Sequence, residues 1–159
     1  MTDHATNQPP LRSGLLARLK SAIFPLLLVV TLAAFFAWRS PFWAPKPAVF
    51  IEASYEEAAA RAASSNKFLI VDAMATWCGP CKAMDARTWP DESVVAWLNR
   101  HAVAFQFDVD AQPALAQHFG IGAMPTVIAL RDGQEVERRV GKLSAAEMLG
   151  WMNTLRPAP

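Results

Sequence analysis

The hydrophobic pattern divides the chain in two. Between Lys20 and Arg39 lie 18 residues without a charge, SAIFPLLLVVTLAAFFAW, apolar on every helical face. As a helix, residues 21–38 span about 27 Å, close to the roughly 30 Å of a bilayer's hydrocarbon core. Trp38, Phe42 and Trp43 follow as an interfacial aromatic belt does. Pro25 falls in the first turns, where proline disturbs a helix least. A cleaved signal peptide is the rival reading and needs small residues two apart before the cut. Thr31-Leu32-Ala33 fits that weakly, and Phe35 and Phe36 occupy the key positions of the next site. A buried core helix is disfavoured by the N-terminal position and the absence of any polar face. The reading is an uncleaved transmembrane anchor.

From Val49 on, apolar positions recur at helical and strand spacings. Ser54-Tyr-Glu-Glu57 is a capping box that opens an alanine-rich helix to about Ser65. Residues 68–71, Phe-Leu-Ile-Val, form an apolar run that predicts a buried strand. A helix starts at Cys78, and Asp91 caps another, ESVVAWLNRH. Residues 103–109 are rich in Val and Phe and predict a strand, 113–119 a short helix, and 126–130 a strand. Asp132-Gly133 is a hairpin turn with 135–140 as the partner strand. Ser144-Ala-Ala-Glu147 is a second capping box, opening a last helix to about Leu155. The order β-α-β-α-α-β-α-β-β-α implies an α/β fold, a central mixed sheet with helices on both faces.

Charge sharpens the division. Residues 1–47 carry five basic residues and one acid, whereas 48–156 carry ten basic and thirteen acidic. Arg12, Arg18 and Lys20 precede the apolar span, and Arg39 and Lys46 follow it, which leans to an inside N-terminus. The expected layout is a cytoplasmic tail (1–20), an anchor (21–38) in the lipid bilayer, a proline-rich spacer (39–48) and a folded domain (49–159). The folded domain then lies outside the cytoplasm. The whole chain, with 15 Lys+Arg against 14 Asp+Glu, lacks the concentrated positive charge of a nucleic-acid binder. Two cysteines exclude a disulfide-dense mini-fold.

Those two cysteines carry the chemistry. Trp77-Cys78-Gly79-Pro80-Cys81-Lys82 follows a buried strand and opens a helix. The thiolate is the nucleophile of disulfide exchange. Free backbone N–H groups and the dipole at a helix N-terminus favour a negative charge, so Cys78 is expected to titrate at about 7, as in sites of this type. Cys81, three residues on, can attack a mixed disulfide and release the substrate. Gly79 permits a tight turn and Pro80 suits the first helical turn. Zinc needs four ligands and there is one cysteine pair, with His101 and His118 17 residues apart. A c-type haem needs CxxCH, and residue 82 is Lys. An inert structural disulfide would close only a tiny loop.

Residues 71–82, Val-Asp-Ala-Met-Ala-Thr-Trp-Cys-Gly-Pro-Cys-Lys, resemble the active-site segment of the thioredoxin family. Met124-Pro125-Thr126, 44 residues from Cys81 to Pro125, resembles its cis-proline loop, and Gly133 and Gly141 fit as well. Cys81-Lys-Ala-Met-Asp-Ala-Arg-Thr88-Trp89 is similar to the C-terminal periplasmic domain of the DsbD thiol-disulfide interchange family, although Gly79-Pro80 is the dipeptide of thioredoxin itself. The resemblance covers roughly residues 50–156 and implies a thioredoxin fold. It implies a cis Pro125 facing Cys78, with the Met124 backbone pairing to an extended substrate segment. It implies that Asp72, at the end of a buried strand, relays a proton to or from Cys81. The rival reading of Asp72 is a partly solvated structural carboxylate. Thioredoxin has a lysine on the central strand near that aspartate where this chain has Gln106, and without that cation Asp72 is expected to hold its proton more strongly.

Other candidates carry less. Trp77 reads as a flat contact surface beside Cys78. Lys82 is either a thiolate stabiliser or solvated helix surface. Trp89, Trp97 and Trp151 are expected in or near the core. Asp108 and Asp110 look like a metal pair, but a turn after a strand is rich in Asp, and no metal or other cofactor is expected beyond the redox-active Cys78–Cys81 pair. The expected function is a membrane-anchored thiol-disulfide oxidoreductase of a bacterial inner membrane, monomeric, with its domain in the periplasm. It would reduce protein disulfides and draw electrons from a membrane-bound donor of DsbD type. The alternatives are a thiol oxidase or folding catalyst on the same fold, and a tethered binding module with idle cysteines.

Overall fold

The computed structural model describes residues 25–36 and 46–155. The chain divides into two units at residue 40. In the first, residues 25–36 are helical, and their apolar side chains, Leu26 to Val30, Leu32, Phe35 and Phe36 among them, are exposed. Among the described residues no helix is long and apolar enough to cross a membrane. The predicted span 21–38 extends beyond 25–36 at both ends, and its outer residues, the tail 1–20 and spacer residues 39–45 lie outside the described residues.

The second unit contains α1 (Tyr55–Ser64), β1 (Phe68–Met74), α2 (Gly79–Arg87), α3 (Glu92–His101), β2 (Ala102–Asp108), α4 (Pro113–His118), β3 (Thr126–Arg131), β4 (Gln134–Val140) and α5 (Ala145–Met152). The helices start where the sequence places them. Both capping boxes form, with Ser54 and Ser144 accepting from the backbone of Glu57 and Glu147 and those carboxylates accepting in return. Asp91 accepts from the N–H groups of Ser93 and Val94 at the head of α3.

The four strands form one mixed sheet in the order β2-β1-β3-β4. β1 runs parallel to β2, while β3 is antiparallel to both β1 and β4. Successive β1 side chains point to opposite faces, and both faces are covered. Phe68 and Ile70 pack with Met84 of α2, Leu98 of α3 and Met148 of α5. Leu69, Val71 and Ala73 pack with Ala58 of α1 and with Phe119 just after α4. A central strand covered on both sides reads as a continuous apolar run, as residues 68–71 do.

The elements differ from the pattern in three places, one being α5, which ends at Met152, three residues short of Leu155. The order called for a strand ahead of α1, and its place is taken by a single parallel bridge between Phe50 and Ala104. β1 extends three residues beyond Val71, through the buried Asp72 to Met74. A carboxylate inside the strand interrupts the apolar run, so periodicity ends the strand too early. The β3–β4 hairpin turns at Asp132 and Gly133, with φ of 51° and 78°, the pair of positive values that a two-residue turn of this hand requires.

Candidate active site

The C-terminal end of the central strand β1 delivers the chain to the loop from which α2 begins. Cys78 is the N-cap of α2, extended at φ −75° and ψ 104°, with Pro80 in the first turn. Its sulfur accepts the backbone N–H of Cys81 at 3.2 Å. That N–H is one of the unpaired donors of a helix start, so the fold aims the positive end of the helix dipole at the sulfur. Cys78 and Cys81 are joined as a disulfide across one turn. The two residues are 4% and 2% exposed, while Thr76, Trp77, Gly79 and Pro80 around them are open to solvent. The pair is thus reached through a small polar and aromatic rim.

The loop before β3 closes the other side. The Met124–Pro125 peptide bond is cis, as the resemblance implied. Met124 packs against the cluster of Met74, Ala75, Cys78 and Cys81. Two bonds brace this loop from within. Thr126 Oγ1 donates to the Ala123 carbonyl at 2.8 Å, and the Gly141 N–H donates to the Pro125 carbonyl at 2.8 Å. Thr126 is therefore a brace in the structure, with its hydroxyl turned into the loop.

Trp77 is 63% exposed, yet its indole is held in place. Nε1 donates to Asp110 Oδ2 at 2.7 Å. Asp108 Oδ2 accepts the Thr76 N–H at 3.0 Å, and Asp108 Oδ1 accepts those of Asp110 and Ala111 at 2.8 and 3.4 Å. The two aspartates that resembled a metal pair are spent on the loop that carries the cysteines. No group of three or more His, Cys, Asp or Glu that could hold a metal ion occurs among the described residues. His101 lies beside Trp97, and His118 beside Tyr55 and Phe119. Trp89 is fully buried and meets Phe50 edge-on.

Asp72 lies below this surface, 2% exposed, opposite Gln106 in the β1–β2 register. The reading of a partly solvated carboxylate does not hold. Gln106 Nε2 donates to Asp72 Oδ2 at 2.9 Å. Burial pushes the Asp72 carboxyl up to about 7, the Gln106 bond opposes this, and the nearby Asp85 charge adds to it. The Trp89 indole N–H also favours the Asp72 anion from a position short of hydrogen-bond geometry, and Asp72 Oδ1 and Trp89 Nε1 have no bonded partner. Gln106 puts a neutral donor where the resemblance has a cation, and its bond favours the Asp72 anion against the effect of burial.

Asp85 is the residue that the sequence reading missed. It is 4% exposed on α2, and the same Gln106 nitrogen donates to its Oδ1 at 2.9 Å. Burial raises its carboxyl above the usual range, while the Gln106 bond and the Lys82 charge pull it down. Lys82 Nζ lies 3.9 Å from Asp85 Oδ2, so the ion pair Lys82 makes is with this carboxylate. The signal was present: Cys81, Met84 and Asp85 stand at i, i+3 and i+4 and form the buried stripe of α2.

Comparison with known proteins agrees with this geometry. The Thioredoxin family pattern matches residues 47–154. The chain is 43% identical over 82 residues to Thioredoxin-2 of Pyricularia oryzae, covering 50% of this chain and 44% of that protein's length. It is 36% identical over 94 residues to Thioredoxin of Mycobacterium tuberculosis, covering 59% of this chain and 78% of that one. The solution structure of a thioredoxin from Thermus thermophilus superposes with a TM-score of 0.58 at 26% identity, over 63% of this chain and 82% of that one. A helix-capping cysteine pair beside a cis-proline loop, on a sheet that superposes on a thioredoxin and in a sequence that matches the family pattern over most of its length, has one reading: the chain belongs to the thioredoxin family.

Proposed function

We propose that this chain is a membrane-tethered thiol-disulfide oxidoreductase that reduces disulfides of protein substrates in a bacterial periplasm. The observation that carries the reading is Cys78 at the head of α2, its sulfur accepting the Cys81 N–H and bonded to Cys81 one turn away. In the reduced pair, the Cys78 thiolate attacks one sulfur of the substrate disulfide. A mixed disulfide forms, and the other substrate sulfur leaves with the electron pair and takes up a proton. Cys81 then gives its proton to the Asp72 carboxylate and attacks the Cys78 sulfur. The bond between Cys78 and the substrate breaks, and the second substrate sulfur leaves as a thiolate. The substrate has gained two electrons, and the protein ends as the Cys78–Cys81 disulfide.

The neighbouring residues take supporting roles. The exposed Trp77 face and the backbone of Met124 form the surface on which an extended substrate segment lies. The Gly79-Pro80 dipeptide favours the reducing direction. A reducing couple in an oxidising compartment needs electrons from a partner, and the similarity of residues 81–89 to the DsbD domain supports a membrane-bound donor of that type. The exposed apolar residues of 25–36 support an anchor.

Equilibration of the pair with glutathione tests the direction. A potential near thioredoxin's own value of about −270 mV is expected, with reduction of insulin disulfides lost in Cys78→Ser. A potential near about −120 mV, the range of strong oxidants, overturns the reductase in favour of a thiol oxidase. Full biological activity in Cys78→Ser overturns the enzyme in favour of a binding module.

A further inference from the structure

Two buried carboxylates share one neutral donor beneath α2. Gln106 Nε2 reaches Asp72 Oδ2 and Asp85 Oδ1, each at 2.9 Å. An amide nitrogen has two hydrogens and no charge, so it satisfies one oxygen of each acid and neutralises neither. The remaining oxygens, Asp72 Oδ1 and Asp85 Oδ2, have no hydrogen-bond partner.

The charges around the pair are unequal. Lys82 of α2 stands 3.9 Å from Asp85 Oδ2, and among the described residues no ion pair reaches Asp72. A cleft of about 290 Å³, lined by Lys82, Asp85, Gln106, Thr76 and Asp108 among others, opens beside Asp85, and Asp72 is not part of its lining. Lys46 also lines this cleft but pairs with Glu52 at 2.8 Å. Asp108 of β2 is occupied by backbone N–H groups. Two carboxylates sharing a site resist ionising together. Asp85, with a cation beside it and a cleft at its side, gives up its proton first, and Asp72 keeps the one that remains.

We propose that Asp85 is a positioning residue of this redox site: paired with Asp72 across Gln106, its negative charge strengthens the affinity of the Asp72 carboxylate for a proton. Asp85 acts through Asp72, which it makes the stronger base toward the Cys81 S–H. The inference rests on the reading of Asp72 as the proton partner of Cys81. Once its own proton has left to solvent, the Asp72 carboxylate takes the Cys81 proton as the Cys81 sulfur attacks Cys78, and later returns it to solvent.

The test is a carboxyl ¹³C NMR titration of the oxidised full chain in micelles. The expected wild-type result is two inflections in both the Asp72 and the Asp85 signals, because each group feels the other's proton. In Asp85→Asn the Asp72 signal should titrate in one step, with its midpoint lower by about one pH unit. The pH profile of mixed-disulfide resolution should move down with it, and Asp85→Glu should restore both. A single Asp72 inflection in the wild type, or an Asp72 midpoint unmoved in folded Asp85→Asn, overturns the inference and leaves the Asp72 reading standing. If Asp85→Asn does not fold, the wild-type curves alone decide. Two inflections together with a resolution profile unmoved by Asp72→Asn instead overturn the Asp72 reading, and with it the role of Asp85.

Discussion

At residue 72 a carboxyl group is kept where water cannot solvate it. Folding raises its pKa from 3.8 to about 7, so the folded protein binds this proton more tightly than the unfolded chain. The stability it contributes is fully present below pH 4 and is lost as pH rises to about 7, a change on the order of 4 kcal/mol. Urea unfolding of the oxidised protein should therefore show stability declining across that window. Asp72→Asn should remove most of the decline and leave the smaller part due to Asp85; a slope unchanged in Asp72→Asn contradicts the placement of the proton. Much of this was legible in the sequence, because Asp72 closes an apolar run and Gln106 stands where the family has a cation. For Asp85 the spacing from Cys81 and Met84 marks only a buried position on α2; its role depends on α2 and β2 coming together around one amide, a contact between residues 21 apart in sequence. Trp77 was read as a contact surface, but its restraint by Asp110 depends on a pairing 33 residues apart.

The helices and the hairpin are encoded locally, and their costs can be read locally. Gly133 has φ of 78°, and a Cβ placed there meets nothing within 4 Å. Gly133→Ala should then destabilise by about 1 kcal/mol through backbone conformation alone. Thermal unfolding by circular dichroism should show the midpoint lower by about 4 °C, and an unchanged midpoint contradicts the turn. At the head of α5, Ser144 Oγ accepts the Glu147 N–H at 3.3 Å, and Glu147 Oε2 accepts the Ser144 N–H at 2.8 Å. Ser144→Ala should cost about 1 kcal/mol in the same assay, and no loss means that the box is dispensable. Caps, turns and apolar runs depend on neighbours in sequence, which is why α1, α3, α5 and the β3–β4 turn were legible. The bridge of Phe50 to Ala104 joins residues that no local pattern connects, and a strand expected there is not formed. β1 ran past its expected end because Asp72 finds its partner on β2.

For the whole molecule, the division into two units follows the change in charge and hydropathy along the chain. The proposed anchor predicts that the full chain floats with phosphatidylcholine vesicles on a density gradient. Leu28→Lys combined with Val30→Lys should abolish flotation, because a charge near the helix centre costs about 2.5–3.5 kcal/mol. A full chain that stays at the bottom of the gradient contradicts the anchor. The redox reading makes a separate demand on the reduced protein. Its most direct test is the thiolate absorbance of the reduced chain near 240 nm, followed against pH in the wild type and in Cys81→Ser. The account predicts that Cys78 ionises with a midpoint near 7, the general value for thioredoxin-type sites. A midpoint at about 8.5 or above, that of an ordinary thiol, contradicts it.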